Sequence, residues 1–262
     1  CDPGETLLMI AKQINSKYSS AYNKIRSNTF EAWCAGLKEK EIAKEKQNEK
    51  KALTPSYPRP ALNMKKDIKE VINPMLLCLG IEKYMDDNSI IIVDGGDFAA
   101  TAAYICRPRG PLKWLDPGPF GTLGVGAGFV LGAKLVDPDA EIWLIWGDGS
   151  SGYSIAEVDT FKRFGIGCIC VIGNDACWSQ IEREQIPKLG DNTACMLSYC
   201  DYDLVSKGYG GGGEMIYDKK QLDDEKDNPF IRAKKYAKEN NAPYIINAHI
   251  GTSDFREGSI SV

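Results

Sequence analysis

A single histidine, His249, stands among 262 residues. No nucleophile–histidine–carboxylate set and no histidine cluster can be picked out around it. It lies near the end of a predicted strand and is expected to be a hydrogen-bonded structural residue. No run of about 18 apolar residues occurs, so nothing in the chain reads as a transmembrane helix. Basic charge is not in excess: the net charge is −4, whereas a nucleic-acid footprint is basic and clustered. The nine cysteines form an odd set, and Cys168-x-Cys170 and Cys195-x4-Cys200 lack zinc-site spacing. Cys168 and Cys170 alternate inside an apolar run and are expected as small core residues. Reduced thiols in a cytosol-like environment are the expectation at this size. The chain opens on Cys1 and is expected to be a piece of a longer protein.

What is present is ordinary globular material, 43% hydrophobic and 26% charged, enough to bury a full core. The organising stretch is residues 141–178, EIWLIWGDGSSGYSIAEVDTFKRFGIGCICVIGNDACW. Its two short apolar runs, 142–146 and 168–172, are bounded by glycines, as buried parallel strands tend to be. Between them Ile155, Val158, Phe161 and Phe164 fall at three-residue spacings, which predicts one helix. A right-handed crossover then sets the strands side by side. Asp148 and Asp175 each follow a strand, so both emerge at the carboxyl edge, where open α/β sheets bind ligands. Gly147, Gly149 and Gly152 let backbone amides approach an anion, Ser150, Ser151 and Ser154 offer hydroxyls, and a helix N-terminus points at the same spot. Such a set suits a hard divalent cation, magnesium above all, completed by phosphate oxygens. Asp-Gly and Asn-Asp are also ordinary turn residues; it is their pairing at matched strand ends that favours the metal–diphosphate reading.

Residues 1–52 read as the end of another unit. Segments 7–14 and 25–37 are helical in pattern, and the lysine–glutamate run 38–51 reads as a solvated helix. The prolines of 54–60 place a linker over 53–62. From 63 to 262 the pattern is a doubly wound α/β domain with a mainly parallel sheet and helices on both faces. The expected elements are a helix at 64–84, a strand at 90–93, a small-residue helix at 121–132, and a short helix at 201–208. A strand at 214–217, a charged loop and helix over 221–240, and a strand at 244–249 follow. Asp94-Gly-Gly-Asp97 closes the first strand, and is either a phosphate-friendly turn or a tight βα loop without ligand. The glycine string 121–132 does not follow a convincing strand and is not completed by a later acidic residue, so it fails as a dinucleotide fingerprint. Residues 187–200 show little periodicity and are expected to order on binding. Without a base of its own, an enzyme of this composition would borrow its chemistry from an organic cofactor.

The string GDG at 147–149, the strand–helix–strand span and Asn174-Asp175 resemble the thiamine diphosphate motif of the acetolactate synthase and 2-hydroxyacyl-CoA lyase superfamily. Residues 94–103, 107–134, 173–187 and 252–262 are similar in particular to its acetolactate synthase-like branch, also called 2-hydroxyacyl-CoA lyase 2. The superfamily motif ends in Asn-Asn; Asp175 departs from it, keeping an oxygen ligand and adding a charge. The resemblance implies a thiamine diphosphate-binding fold and a cofactor site made by Gly95, Gly96, Asp97, Phe98, Gly121, Thr122, Leu123, Gly147, Asp148, Gly149, Ser150, Ser151, Asn174 and Asp175. It implies a magnesium ion held by Asp148, Asp175 and the backbone carbonyl of Cys177. Leu123 would wedge under the cofactor and the Gly121 carbonyl would meet its aminopyrimidine. Trp178 and Gln180 would line the substrate pocket, although Trp178 as plain packing fits as well. Residues 1–52 would be the end of a central domain. The partner would be an N-terminal pyrimidine-binding domain carrying a glutamate, from a second subunit. The reaction would cleave a 2-hydroxyacyl-CoA to formyl-CoA and an aldehyde, at the endoplasmic reticulum membrane through segments outside this chain. Acetolactate formation and a non-catalytic cofactor-binding module remain alternatives.

Overall fold

The computed structural model describes residues 39, 42–54, 56–59, 68 and 70–252. The helical readings at 7–14 and 25–37, and the string 253–262, lie outside the described residues. The chain divides into two compact units, Cys1–Asn48 and Glu49–Val262. Of the first, only residues 39 and 42–48 are described, and they are helical.

The second unit is built on six parallel strands: β1 (Ile90–Asp94), β2 (Trp114–Leu115), β3 (Ile142–Gly147), β4 (Ile169–Asn174), β5 (Gly212–Ile216) and β6 (Tyr244–His249). Their order across the sheet is β2-β1-β3-β4-β6-β5. Both faces are covered, so the central strands are apolar throughout instead of alternating with polar residues. Ile91, Val93, Trp143, Ile145, Ile169 and Val171 face one core, shared with Met75, Ile81 and Phe230. Ile90, Ile92, Ile142, Leu144, Trp146, Cys170 and Ile172 face the other, shared with Val130, Val158 and Phe161. The expected doubly wound sheet is therefore present, and Cys168 and Cys170 are buried core residues in it.

Element boundaries differ from expectation wherever a specific cap or break decides them. The helix expected from residue 64 is α1, Pro74–Tyr84. Ile72 still bridges to Ile250, and the Asn73 side chain accepts from the Met75 amide at 2.9 Å, so the helix starts with Pro74 at its first position. After β1 comes α2, Gly96–Ile105. The small-residue helix is α3, Gly126–Val136, with Gly121 and Gly124 in left-handed turns before it. The single helix expected after β3 is two, α4 (Asp148–Ser154) and α5 (Glu157–Arg163). Val158 and Phe161 are buried as their spacing requires, but Phe164 lies past the end of α5 and is 70% exposed. Two further helices, α6 (Ser179–Leu189) and α7 (Tyr202–Gly208), precede β5. β5 begins two residues before the expected strand and ends at Ile216. Of the helix expected over 221–240, the regular part is α8, Pro229–Asn240, capped by Asn228. The two-residue edge strand β2 was not foreseen.

Connectivity creates the site. From β1 the chain passes through α2 to the edge strand β2, then returns through α3 to β3, which pairs with the other side of β1. The direction of winding reverses between β1 and β3, and a crevice opens at such a switch point, outside the carboxyl ends of the strands.

Candidate functional site

Strand register brings the acidic motifs together. Gly147 stands opposite Gly173 in the β3–β4 pair, so Asp148 and Asn174-Asp175 leave neighbouring strands at one level. Gly95 follows Asp94, which pairs with Trp146, at the end of β1. A cavity of about 820 Å³ lies over these ends. Gly95, Gly96, Asp97, Phe98, Gly121, Leu123, Gly147, Asp148, Gly149, Ser150, Asp175, Cys177, Trp178 and Gln180 all line it. Thr122, Ser151 and Asn174 fall outside that lining. Thr122 is exposed, the Ser151 hydroxyl donates to the Asp148 carbonyl at 2.8 Å, and the Asn174 amide donates to the Cys200 carbonyl and to Asn247, each at 3.2 Å.

The two carboxylates are held in different ways. Asp148 is 3% exposed; its Oδ1 accepts from the Gly149 amide at 2.8 Å, while Oδ2 is buried without a hydrogen-bond partner. Burial pushes its pKa well above the usual carboxylate range, and the charge of Asp175 adds to the shift, against the amides of Gly149, Cys177 and Ala176. Asp175 is pushed up to about 6, first by burial, with Arg59 and the Ser179 hydroxyl opposing. The Ser179 hydroxyl donates to Asp175 Oδ2. Neighbouring carboxylates with one buried oxygen unpartnered are costly unless a cation is shared between them.

The main chain at Cys177 supplies the third element. Trp178 N–H donates to the Cys195 carbonyl at 2.8 Å and Leu197 N–H to the Ala176 carbonyl at 2.7 Å. Cys177 itself bridges antiparallel to Met196. In that pattern the N–H and C=O of Cys177 point away from residue 196, and the Cys177 amide supports the Asp148 carboxylate. Burial pushes the Cys177 thiol up to about 12, so in the cation-free chain it is a neutral thiol. Among the described residues no group of three His, Cys, Asp or Glu side chains could hold a metal ion. The Asp148 and Asp175 side chains offer oxygen donors only, which suit a hard cation finished by phosphate.

Close backbone approach shapes the rest. The Trp178 indole lies on Gly149: a Cβ there would sit within 3.0 Å of three of its ring carbons. Trp178 both packs and lines the cavity. Gly149→Ala is expected to displace the indole and cost ~1–3 kcal/mol, read as a fall in the denaturation midpoint at unchanged slope. Gly95 has φ +87, and a Cβ there would meet Leu123 at 3.0 Å and Ser150 closer still. His249, remote in sequence, pairs with Asn174 and packs against Tyr199 with ring centroids 4.6 Å apart and planes tilted by 39°; it is absent from the cavity lining.

Arg59, Ser179, Glu182 and Arg183 are among the lining residues that had no place in the expected site. Arg59, from the linker, makes an ion pair with Glu182 and approaches Asp175 Oδ2 with its Nε at 3.7 Å. Its second terminal nitrogen donates to Ser179 at 3.2 Å. Arg183 pairs with Asp97 across the mouth.

A switch-point crevice with paired acidic strand ends and glycine loops has the chemistry to take a diphosphate together with a cation. Residues 94–247 match the family described as thiamine pyrophosphate enzyme, C-terminal TPP binding domain, and the chain belongs to that family. It is 49% identical over 234 residues to a 2-hydroxyacyl-CoA lyase 2 of Danio rerio, covering 88% of this chain and 35% of the relative. It is 44% identical over 230 residues to the Homo sapiens protein of the same name, covering 88% and 34%. A probable acetolactate synthase of Mycobacterium bovis is 33% identical over 146 residues, 55% of this chain and 27% of that one. The chain thus spans about a third of the length of the curated relatives it matches most extensively. A thiamine diphosphate-dependent 4-hydroxybenzoylformate decarboxylase from Rhodococcus jostii superposes with a TM-score of 0.61 at 18% identity, over 75% of this chain and 35% of that one. This last likeness shows the fold.

Proposed function

We propose that the chain is the diphosphate- and magnesium-holding region of a thiamine diphosphate-dependent lyase that cleaves 2-hydroxyacyl-CoA thioesters to formyl-CoA and an aldehyde. The observation that carries the cofactor reading is the buried, unpartnered Oδ2 of Asp148 beside Asp175 at the switch point. Similarity to the 2-hydroxyacyl-CoA lyase 2 proteins over 88% of the chain supports the substrate class.

In this reading Asp148, Asp175 and the Cys177 carbonyl hold magnesium. Gly147, Gly149, Ser150 and the loop Gly95, Gly96, Asp97 and Phe98 surround the diphosphate, with amides facing it, while Ser151 and Asn174 brace these turns from behind. Gly121 and Leu123 form the far wall, with Thr122 between them turned to solvent, and Trp178 and Gln180 face the reacting end. When bound, thiamine diphosphate supplies a stabilised carbanion equivalent, which none of the side chains here offers. The chain's own share is to anchor the cofactor, exclude water through the indole and leucine walls, and hold charge at the diphosphate. A pyrimidine-binding domain bearing a glutamate, from a second subunit, completes the centre. Among the described residues no helix is long and apolar enough to cross a membrane; attachment to the endoplasmic reticulum belongs to other segments.

The test is product analysis of the full-length protein given a 2-hydroxyacyl-CoA and, separately, pyruvate. Formyl-CoA and aldehyde are expected; acetolactate with no thioester cleavage would install the carboligase reading instead. The isolated 262-residue chain is expected to bind the cofactor weakly and to turn nothing over.

Cation binding is expected to compete with protons. Asp175 has a raised folded pKa of about 6, so its proton is held below that pH and must be displaced. Cation affinity therefore falls by ~10-fold per pH unit once the pH drops below the Asp175 value. By the same sign, cation-free protein gains stability from this group below the ordinary Asp range and loses it as pH rises through about 6. Mn2+ titrations and melting curves across that range check both; an affinity that stays flat below pH 6 would remove Asp175 from the site.

A further inference from the structure

Beside the cation position sits a charge that no part of the binding scheme above uses. Arg59 is a linker residue, yet its side chain is 14% exposed and lies among Asp175, Glu182 and Ser179. Its backbone amide donates to the Tyr199 hydroxyl at 3.1 Å, so the main chain is fixed as well as the guanidinium. Glu182 is also bound from its other side, by Asn192 at 2.9 Å. Asp175 receives both the Ser179 hydroxyl and Arg59 on the same oxygen, Oδ2. That arrangement leaves Oδ1 as the oxygen for another partner.

We infer that Arg59 is the site's internal counter-ion, a positioning residue that sets how much negative charge a cation and a diphosphate meet. The inference rests on the cofactor reading above. Asp148, Asp175 and Glu182 are the three buried carboxylates of the cavity wall, and Arg59 offsets one; the Asp116 carboxylate in the same lining is exposed to solvent. The remainder is matched by a divalent cation. Asp97 is balanced separately by Arg183. Buried charges interact far more strongly than exposed ones, so one charge more or less here is felt by both ligands, with opposite signs. Extra negative charge draws the cation in and pushes the diphosphate away. A residue that only braced the fold would weaken both together.

The opposite signs make the test. Full-length protein and its Arg59→Gln, Arg59→Lys and Glu182→Gln variants are titrated with Mn2+ alone by electron paramagnetic resonance. Inorganic pyrophosphate is then titrated at saturating Mn2+ by calorimetry, both at a pH well above the carboxylate range. Arg59→Gln is expected to bind Mn2+ ~10-fold more tightly and pyrophosphate ~10-fold less tightly. Arg59→Lys keeps the charge and stays near wild type. Glu182→Gln makes the reverse charge change and is expected to shift both affinities the other way, which decides the matter even where Arg59→Gln does not fold. Both affinities falling together, or neither moving, overturns the counter-ion role while leaving the cation site intact. Wild-type protein that takes up no Mn2+ removes the cation reading itself, a separate and recognisable failure.

Discussion

Asp148→Asn is expected to lower cation-dependent binding of thiamine diphosphate by at least ~100-fold, while leaving the cation-free protein as stable as wild type or more so. Residues that merely hydrogen-bond a metal ligand cost ~10–100-fold when changed, so loss of a ligand itself belongs at or beyond the upper end. The stability half follows from what surrounds the carboxylate. Asp148 Oδ2 is buried and unpartnered, and burial together with the charge of Asp175 disfavours its ionised form. Asparagine preserves the shape and the oxygen that accepts from Gly149 and removes one of two like charges; it gives up the support of the Cys177 and Ala176 amides, which is outweighed by the burial and repulsion that raise the pKa. A group installed for function and costly to the fold behaves in this way. Isothermal titration with magnesium and cofactor, paired with cation-free melts, reads both halves. Undiminished cation-dependent binding, or a variant several degrees less stable without cation, would falsify the assignment of Asp148 as a ligand.

Much of this site was legible in the residues because parallel β/α units obey strong rules. Two short apolar runs bounded by glycines favoured buried parallel strands, and a right-handed crossover then set Asp148 and Asp175 at one edge. Register supplied the rest, since Gly147 and Gly173 turned out to be opposite each other. Boundaries set by individual caps were less accessible. Periodicity ran on through Ile155 and predicted one helix, because nothing in the apolar spacing reports the break between Ser154 and Glu157. The edge strand β2 is two residues long and half-buried, too short to show a period. Arg59 was beyond reach altogether: its partners lie 116 residues and more along the chain. Ser179 and Glu182 did leave a sign, since they stand four and seven residues past Asp175, on what would be one face of a continuing helix. Arg183 gave none.

Asp94 is the residue that sequence reasoning passed over, and its removal is expected to give the largest loss of stability of any single change near the site. The sequence places it where a strand closes on the Asp94-Gly-Gly-Asp97 turn and assigns its side chain no partner. In the fold it is 0% exposed, and its carboxylate reaches across 30 residues of sequence to accept from the Gly124 amide at 3.0 Å through Oδ1. Oδ2 accepts from the Gly126 amide at 2.8 Å and from the Trp146 indole at 3.2 Å. It thereby anchors the left-handed turn that carries Leu123 and opens α3, and this is why that helix begins at Gly126. Burial raises its pKa, and these three donors hold the rise back. Asp94→Asn keeps the shape but turns an N–H2 toward an N–H, so at least one buried donor loses its acceptor. Asp94→Ala strands all three. At ~1–3 kcal/mol for each buried group left unsatisfied, the alanine variant is expected to lose about 4 kcal/mol or more, and the asparagine variant about half of that. Chemical denaturation measures the loss. Hydrogen exchange localises it: the Gly124 and Gly126 amides should exchange faster in Asp94→Asn under native conditions, while the Trp146 amide in β3 keeps its protection. Uniform loss of protection through β1 and β3 would mean that Asp94 serves the sheet itself, and the loop that walls the cofactor cavity would need another anchor.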